Sequence, residues 1–241
     1  MKGKNILVVG ASKGLGRAFV EGLGQDGDTV IGVSRSRPAA LSGGPGVTQD
    51  WIVADLSDPR AAVDAIEAQS PAALDVIIYN LGLWESRAFG EDYDFLADED
   101  AALIELLNTN TVAAILLLKR LLPRLLSAAK PHIILTGSTS GLPGSGRPEV
   151  SFGASKHALR GIAEALREGF RAQRLAVTCL QLGYLNTEDA LDRPVAEAAA
   201  RGAGQLVPVH DVLLLTRALL SLSDASFVKE LVLPALLDPR F

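Results

Sequence analysis

An α/β fold, doubly wound around a mostly parallel sheet of seven strands, is what the sequence predicts, and three observations carry it. Short apolar runs alternate with amphipathic runs along the chain. Most of the apolar runs lack the every-other-residue polarity of a half-exposed strand, the pattern of strands covered by helices on both faces. The first run ends in Gly10 and a glycine-rich turn that opens a helix. With 241 residues, no internal repeat and no composition break, residues 1–241 are expected to form one domain with a well-buried core.

Taken in order, strands are predicted over residues 5–9, 29–33, 51–55, 75–79, 132–136, 176–180 and 230–233. Between the first two, Leu15, Phe19 and Leu23 recur at four-residue spacing and mark a helix. Ser57-Asp58-Pro59 opens another, with a capping residue before a proline in the first turn. Residues 98–129 form a long apolar helix that Pro123 should bend or stop. Residues 155–173 are amphipathic, with Arg160, Glu164, Arg167, Glu168 and Arg171 on a charged face. Residues 36–46 and 143–148 read as Gly- and Pro-rich loops. A short helix over 195–200, with Gly202 and Gly204 as hinges, suits a lid.

The formal net charge is −5 and no basic stripe exists, which argues against general nucleic-acid binding. Cys179 is the single cysteine, so no internal disulfide forms; it reads as a buried strand thiol in a reducing compartment. No signal-peptide pattern opens the chain, and the apolar run 112–118 is shorter than a membrane span needs. The expectation is a cytoplasmic protein with no membrane and no metal.

The segment Gly10-Ala11-Ser12-Lys13-Gly14-Leu15-Gly16 has a clear chemical use. Glycines let the backbone turn tightly and approach a pyrophosphate, and a helix N-terminus offers free N–H groups to it. The second strand runs into Ser34-Arg35-Ser36-Arg37. An acidic residue there would hold a ribose 2′-hydroxyl; two guanidiniums suit a 2′-phosphate instead, with Lys13 adding charge. NADP(H) is therefore the expected cofactor.

The spacing Gly-x-x-x-Gly-x-Gly resembles that of the short-chain dehydrogenase/reductase family, and further segments follow in the family's order. Asp55-Leu56 follows the third strand and Asn80-Leu81-Gly82 the fourth. Asn110 lies in Asn108-Thr109-Asn110-Thr111, and Ser138 in Thr136-Gly137-Ser138-Thr139-Ser140-Gly141. Lys156 closes Phe152-Gly153-Ala154-Ser155-Lys156, and Thr187 closes Gly183-Tyr184-Leu185-Asn186-Thr187. The resemblance implies a Rossmann-type fold. It implies adenine contacts from Asp55 and Leu56, and cofactor contacts from Asn80, Gly82, Lys156, Leu185 and Thr187 beside Gly10, Ser12, Lys13, Gly14, Leu15, Gly16 and Arg35. It makes Ser138 the residue that steadies the carbonyl oxygen, with Ser140 a weaker candidate. Lys156 holds the ribose, and Asn110 positions the proton relay. The helices around 110–122 and 155–173 are the family's usual subunit surfaces, so a homodimer or homotetramer is expected.

Position 152 departs from the pattern. The family carries Tyr there as general acid, and this chain carries Phe152. Loss of a positioned acid costs about 10²- to 10⁴-fold in rate, roughly 3–5 kcal/mol of transition-state stabilisation. One explanation is an introduced Tyr-to-Phe change in an otherwise active carbonyl/alcohol oxidoreductase, favoured by the intact Ser138, Asn110, Lys156, Gly153 and Ala154. The other is a natural phenylalanine in a non-catalytic NADP-binding sensor or scaffold. Tyr184, Tyr79 and His157 are the alternative donors in sequence. Trp84, Tyr93, Phe95, Leu142, Tyr184, Leu185 and Leu191 are expected to ring an apolar or aromatic carbonyl substrate, with Glu85 facing a polar group or water.

Overall fold

The computed structural model describes residues 3–238. Seven strands form one sheet in the order β3-β2-β1-β4-β5-β6-β9, every neighbouring pair parallel. They are β1 (Asn5–Val9), β2 (Thr29–Ser34), β3 (Thr48–Val53), β4 (Val76–Tyr79), β5 (His132–Thr136), β6 (Ala176–Leu182) and β9 (Glu230–Leu233). The short β7 (Leu185–Asn186) and β8 (Val207–Pro208), absent from the sequence reading, pair separately. The sheet has the predicted seven strands.

Alternation along each strand divides the core. Leu7, Val9, Ile77, Tyr79, Ile133, Leu135, Val177 and Cys179 face one side, against α2 (Pro59–Gln69), α4 (Ala113–Leu125) and α5 (Val150–Gly169). Ile6, Val8, Val76, Ile78, Ile134 and Leu180 face the other, against α1 (Gly14–Gly22) and α7 (Val209–Ser221). This double coverage is why the strands read as unbroken apolar runs. Asp58 caps α2 by accepting from the Ala61 N–H at 3.2 Å, with Pro59 in the first turn as expected. Cys179 is buried and free, and burial pushes its thiol up to about 11.

Four elements differ from the sequence reading by more than a residue. β3 begins at Thr48 and ends at Val53, leaving Asp55 beyond the strand; its exposed Thr48 and half-exposed Gln49 give it the polar pattern of an edge. β6 extends to Leu182. The long helix runs from Asp100 to Leu125 as α3 (Asp100–Leu107), a π-helical turn (Asn108–Val112) and α4, and Pro123 is accommodated in the last turn. These 26 residues are apolar and long enough to cross a membrane, correcting the estimate made from 112–118; Leu117, Leu118, Leu121 and Leu125 are buried in the core. Finally, α5 starts at Val150, five residues early, so Phe152 and Lys156 share one helix, one turn apart. The short helix α6 (Val195–Ala200) stands where expected.

The strand order reverses between β1 and β4. The crevice beyond their C-terminal ends is where open α/β sheets bind ligands.

Candidate active site

Gly10 sits at that reversal with φ 82°, and its N–H and that of Ala11 both donate to Val33 O, at 2.9 and 3.1 Å. A Cβ at Gly16 would lie 1.9 Å from Gly10 O, so only glycine lets α1 start this close to β1. Lys13 precedes α1 and makes no side-chain cap, leaving the first N–H groups of the helix to a ligand. Asn80 donates to Gly10 O at 3.3 Å and accepts from Thr136 Oγ1 at 3.0 Å, tying the turn to β4 and β5. Thr187 closes the far side: a Cβ on Gly14 would sit 3.1 Å from its own Cβ. A cleft of about 170 Å³ beside the turn is lined by Ser12, Lys13, Gly14, Arg17 and Thr187 and also by Glu21, Glu188 and Asp189. Glu21 is paired with Arg17 and Asp189 with Arg193 and Arg201, so it is the uncapped N–H groups of the turn itself that suit a pyrophosphate. Lys13, Arg35 and Arg37 are exposed, the last two directly beyond β2. Asp55 is exposed and accepts from the Ser57 N–H at 3.1 Å. The side chains of Leu15 and Leu56 are buried in the two cores, so they offer the crevice backbone alone.

Further along the crevice lies Lys156. It is buried, and its Nζ donates to Thr136 O at 3.0 Å and stands 5.4 Å from the Phe152 ring centre. Desolvation lowers its pKa from 10.5 to about 8. A Cβ on Gly82 would fall 3.2 Å from Nζ, so that glycine makes room for the ammonium. Ser138 begins the turn after β5. Its N–H donates to Gln181 Oε1 at 3.0 Å, and its Oγ accepts from the Ser140 N–H at 3.1 Å, which leaves the hydroxyl proton for another partner. Ser140 is buried, and its N–H is the group that Ser138 Oγ accepts from.

Asn110 occupies the π turn, a distortion that recurs at functional sites. Its side chain accepts from the Leu83 N–H at 2.7 Å and donates to Leu83 O at 2.8 Å and Ser155 Oγ at 3.0 Å. That amide clamps the loop after β4 to α5. Glu85 differs from expectation. It is buried and accepts from the N–H groups of Ser151 and Phe152 at 2.8 and 3.0 Å, capping α5.

The sequence reading missed Phe89. It holds φ 68°, a costly conformation for a bulky side chain, and its N–H donates to buried Glu149 at 2.9 Å. Its ring packs edge-on against Phe152 at 5.2 Å and Tyr184 at 5.7 Å. Phe89 therefore stands between Tyr184 and Phe152. The Tyr184 hydroxyl accepts from buried Arg147 at 2.7 Å, and Arg147 pairs with Asp238 at 3.5 Å. Tyr79 donates to Thr109 O at 2.5 Å, and burial raises its pKa far beyond reach. His157 is exposed, and Tyr93 bridges Asp98 and the Val150 N–H. None of the alternative donors adjoins Phe152. Leu185 and Leu191 pack toward the α1 core, so they drop out of the substrate ring, while Trp84 and Phe95 stay exposed at the loop. A loop aromatic followed by Gly90 carries no periodic signal, which is why Phe89 was invisible.

Residues 4–195 match the family described as short chain dehydrogenase. The chain belongs to that family. It is 26% identical over 192 residues to the 3-oxoacyl-(acyl-carrier-protein) reductase FabG of Escherichia coli strain K12, covering 78% of this chain and 75% of that one. Among solved structures, an alcohol dehydrogenase of Thermococcus sibiricus complexed with 5-hydroxy-NADP superposes with a TM-score of 0.76 at 18% identity, over 98% of this chain and 97% of the other. A short chain dehydrogenase of Escherichia coli CFT073 complexed with NADPH gives 0.71 at 22% identity, over 96% and 97%. These two likenesses concern the fold.

Proposed function

We propose that this protein is an NADP(H)-dependent oxidoreductase that moves a hydride between nicotinamide and a carbonyl or alcohol, with its chemical step impaired by Phe152. One observation carries the reading: Asn80 bonds both Gly10 O and Thr136 Oγ1, and Lys156 bonds Thr136 O two residues before Ser138, so the glycine-rich turn, Lys156 and Ser138 are tied together at the C-terminal ends of β1, β4 and β5. The two structural neighbours complexed with NADP forms support the cofactor. When bound, the nicotinamide supplies the hydride. The chain's own residues do the rest. The free N–H groups of α1 hold the pyrophosphate, and Arg35 with Lys13 faces a 2′-phosphate. Asp55 and the Leu56 backbone would meet the adenine end, and Thr187 with the Leu185 backbone would close over the cofactor. Ser138 donates to the oxygen as charge develops. Lys156 sits at the ribose end, and Phe89, Phe152 and Tyr184 give the substrate an apolar wall. We take residues 1–241 as one domain; residues 1–2 and 239–241 lie outside the described residues. We place the protein in the cytoplasm.

A second reading, a non-catalytic NADP-binding sensor or scaffold, has one observation in its favour. Phe89 packs its ring on Phe152, on ground a substrate would use.

Arg35→Ala tests the cofactor assignment. NADPH should bind the unaltered chain more tightly than NADH does, and the variant should lose about tenfold or more of NADPH affinity with little change for NADH. Equal affinities for the two cofactors, or an unchanged NADPH affinity in the variant, reject the assignment. Fluorescence titration reads both.

The reading also includes a symmetric oligomer. Ile104, Leu107, Val112 and Ile115 form an exposed apolar stripe at helical spacing on the α3–α4 run. Light scattering at micromolar concentration should give two or four times the chain mass. Glu in place of Ile104 and Ile115 together should shift it toward the monomer; a monomer from the outset removes the claim.

A further inference from the structure

We propose that Lys156 is itself the proton donor in this chain, delivering its proton to the carbonyl oxygen directly or across one water, in the place left by the missing hydroxyl of residue 152. The proposal rests on the oxidoreductase reading above. Elimination and geometry carry it. Of the three tyrosines, Tyr79 is buried at the end of the central strand β4 and donates to Thr109 O, Tyr93 is held by Asp98 and Val150, and Tyr184 packs against the Phe89 ring. His157 is exposed and bonded back to Gly153 O. Lys156 alone among these ionisable groups borders the Phe152 ring, one helical turn away on the same face of α5.

An ammonium has three donors, and Thr136 O takes one. The surroundings from each packed element leave the charge uncompensated. β5 presents the Thr136 carbonyl, the loop after β4 presents Gly82, and Asn110 is occupied by Leu83 and Ser155. The buried carboxylates at the start of α5, Glu85 and Glu149, accept from backbone N–H groups of that helix and of the loop facing it, and Arg160 pairs with Glu230. No described carboxylate forms an ion pair with Lys156. Burial without a counter-charge favours the neutral amine, bringing the pKa to about 8, close to a working pH. The Phe152 ring borders this ammonium where the family carries a phenol, and it has no proton to give.

The step balances simply. Hydride from NADPH forms a C–H bond at the carbonyl carbon, and the C=O π pair moves to oxygen. One Lys156 N–H bond breaks, and its proton goes to that oxygen. The products are the alcohol, NADP⁺ and a neutral Lys156 amine, which solvent reprotonates. Because the protonated form is required, reduction persists below the Lys156 pKa and falls as pH rises through it.

The experiment uses an aldehyde that the Phe152→Tyr variant reduces, chosen from a panel of aromatic and aliphatic aldehydes. The unaltered chain should reduce the same aldehyde slowly, losing about tenfold per pH unit above about 8. Lys156→Arg keeps the cation and removes the accessible proton; residual turnover at saturating NADPH should fall about 100-fold or more. Independently of activity, the Lys156 side-chain carbon shift in lysine-labelled protein, assigned by its loss in Lys156→Arg, should titrate near 8. A flat pH profile, full residual turnover in Lys156→Arg, a midpoint above about 10, or an unaltered chain inert toward that aldehyde overturns the proposal and leaves the oxidoreductase reading standing. Failure of NADPH to bind, or a Phe152→Tyr variant that stays inert across the panel even with Phe89→Ala added, overturns that reading and this proposal with it.

Discussion

Phe152→Tyr is expected to raise carbonyl reduction by about 10²- to 10⁴-fold, the usual worth of a positioned general acid. The change adds one oxygen to a ring that is already in place on the first turn of α5. The ring borders Lys156, whose positive charge favours phenolate and so draws the hydroxyl pKa down from about 10. Ser138 retains a hydroxyl proton for the substrate oxygen. The Glu85 cap that fixes the backbone of residue 152 is independent of the side chain placed there. NADPH oxidation by both forms, side by side against ketones and aldehydes, gives the ratio. Phe89 is the one obstacle, because its ring packs on residue 152. If Phe152→Tyr gains activity only when Phe89→Ala is added, the loop closes the site in the free protein. A double variant that folds, binds NADPH and stays inert decides for the sensor or scaffold.

Gly16→Ala should damage both folding and cofactor binding. Its new methyl would lie 1.9 Å from Gly10 O and 2.8 Å from the Asn80 amide nitrogen. Neither neighbour gives way cheaply: the first is backbone at φ 82°, and the second bridges Gly10 and Thr136. Overpacking of this kind costs about 1–3 kcal/mol. Because α1 must move off β1, its N–H groups leave the pyrophosphate position, and NADPH affinity should fall by about tenfold or more. Chemical denaturation and an NADPH titration read the two effects separately. Wild-type values in both would show that the turn is slack and is not the phosphate cradle.

Much of the fold was legible because double coverage makes each strand apolar on both faces, and that pattern survives in sequence. The Gly10–Gly16 turn was legible because a strand running through glycines into a helix is a local pattern; Asn80, Ser138, Lys156 and Thr187 were singled out only by the resemblance to the family. Other features left weaker traces. Edge strand β3 mixes Thr48, Gln49 and Asp50 with apolar residues and so looks like loop. The start of α5 hides behind Ser151, Gly153 and a cap supplied by Glu85, 66 residues away from Ser151. Phe89 acquires its place from a buried carboxylate on Glu149 and a strained φ, neither of which leaves a spacing. Glu85 was misplaced because a polar side chain's partners are set by tertiary contacts, and it meets the N–H groups of Ser151 and Phe152 instead of an open pocket.

A crystal structure grown with saturating NADPH tests the account at its centre. Density is predicted with the 2′-phosphate against Arg35 and Lys13, the pyrophosphate over Gly10–Gly16 beneath Thr187, and the nicotinamide ribose against Lys156, leaving the ring beside Phe152. A crevice that stays empty, or a cofactor whose nicotinamide lies away from Lys156 and Phe152, contradicts it.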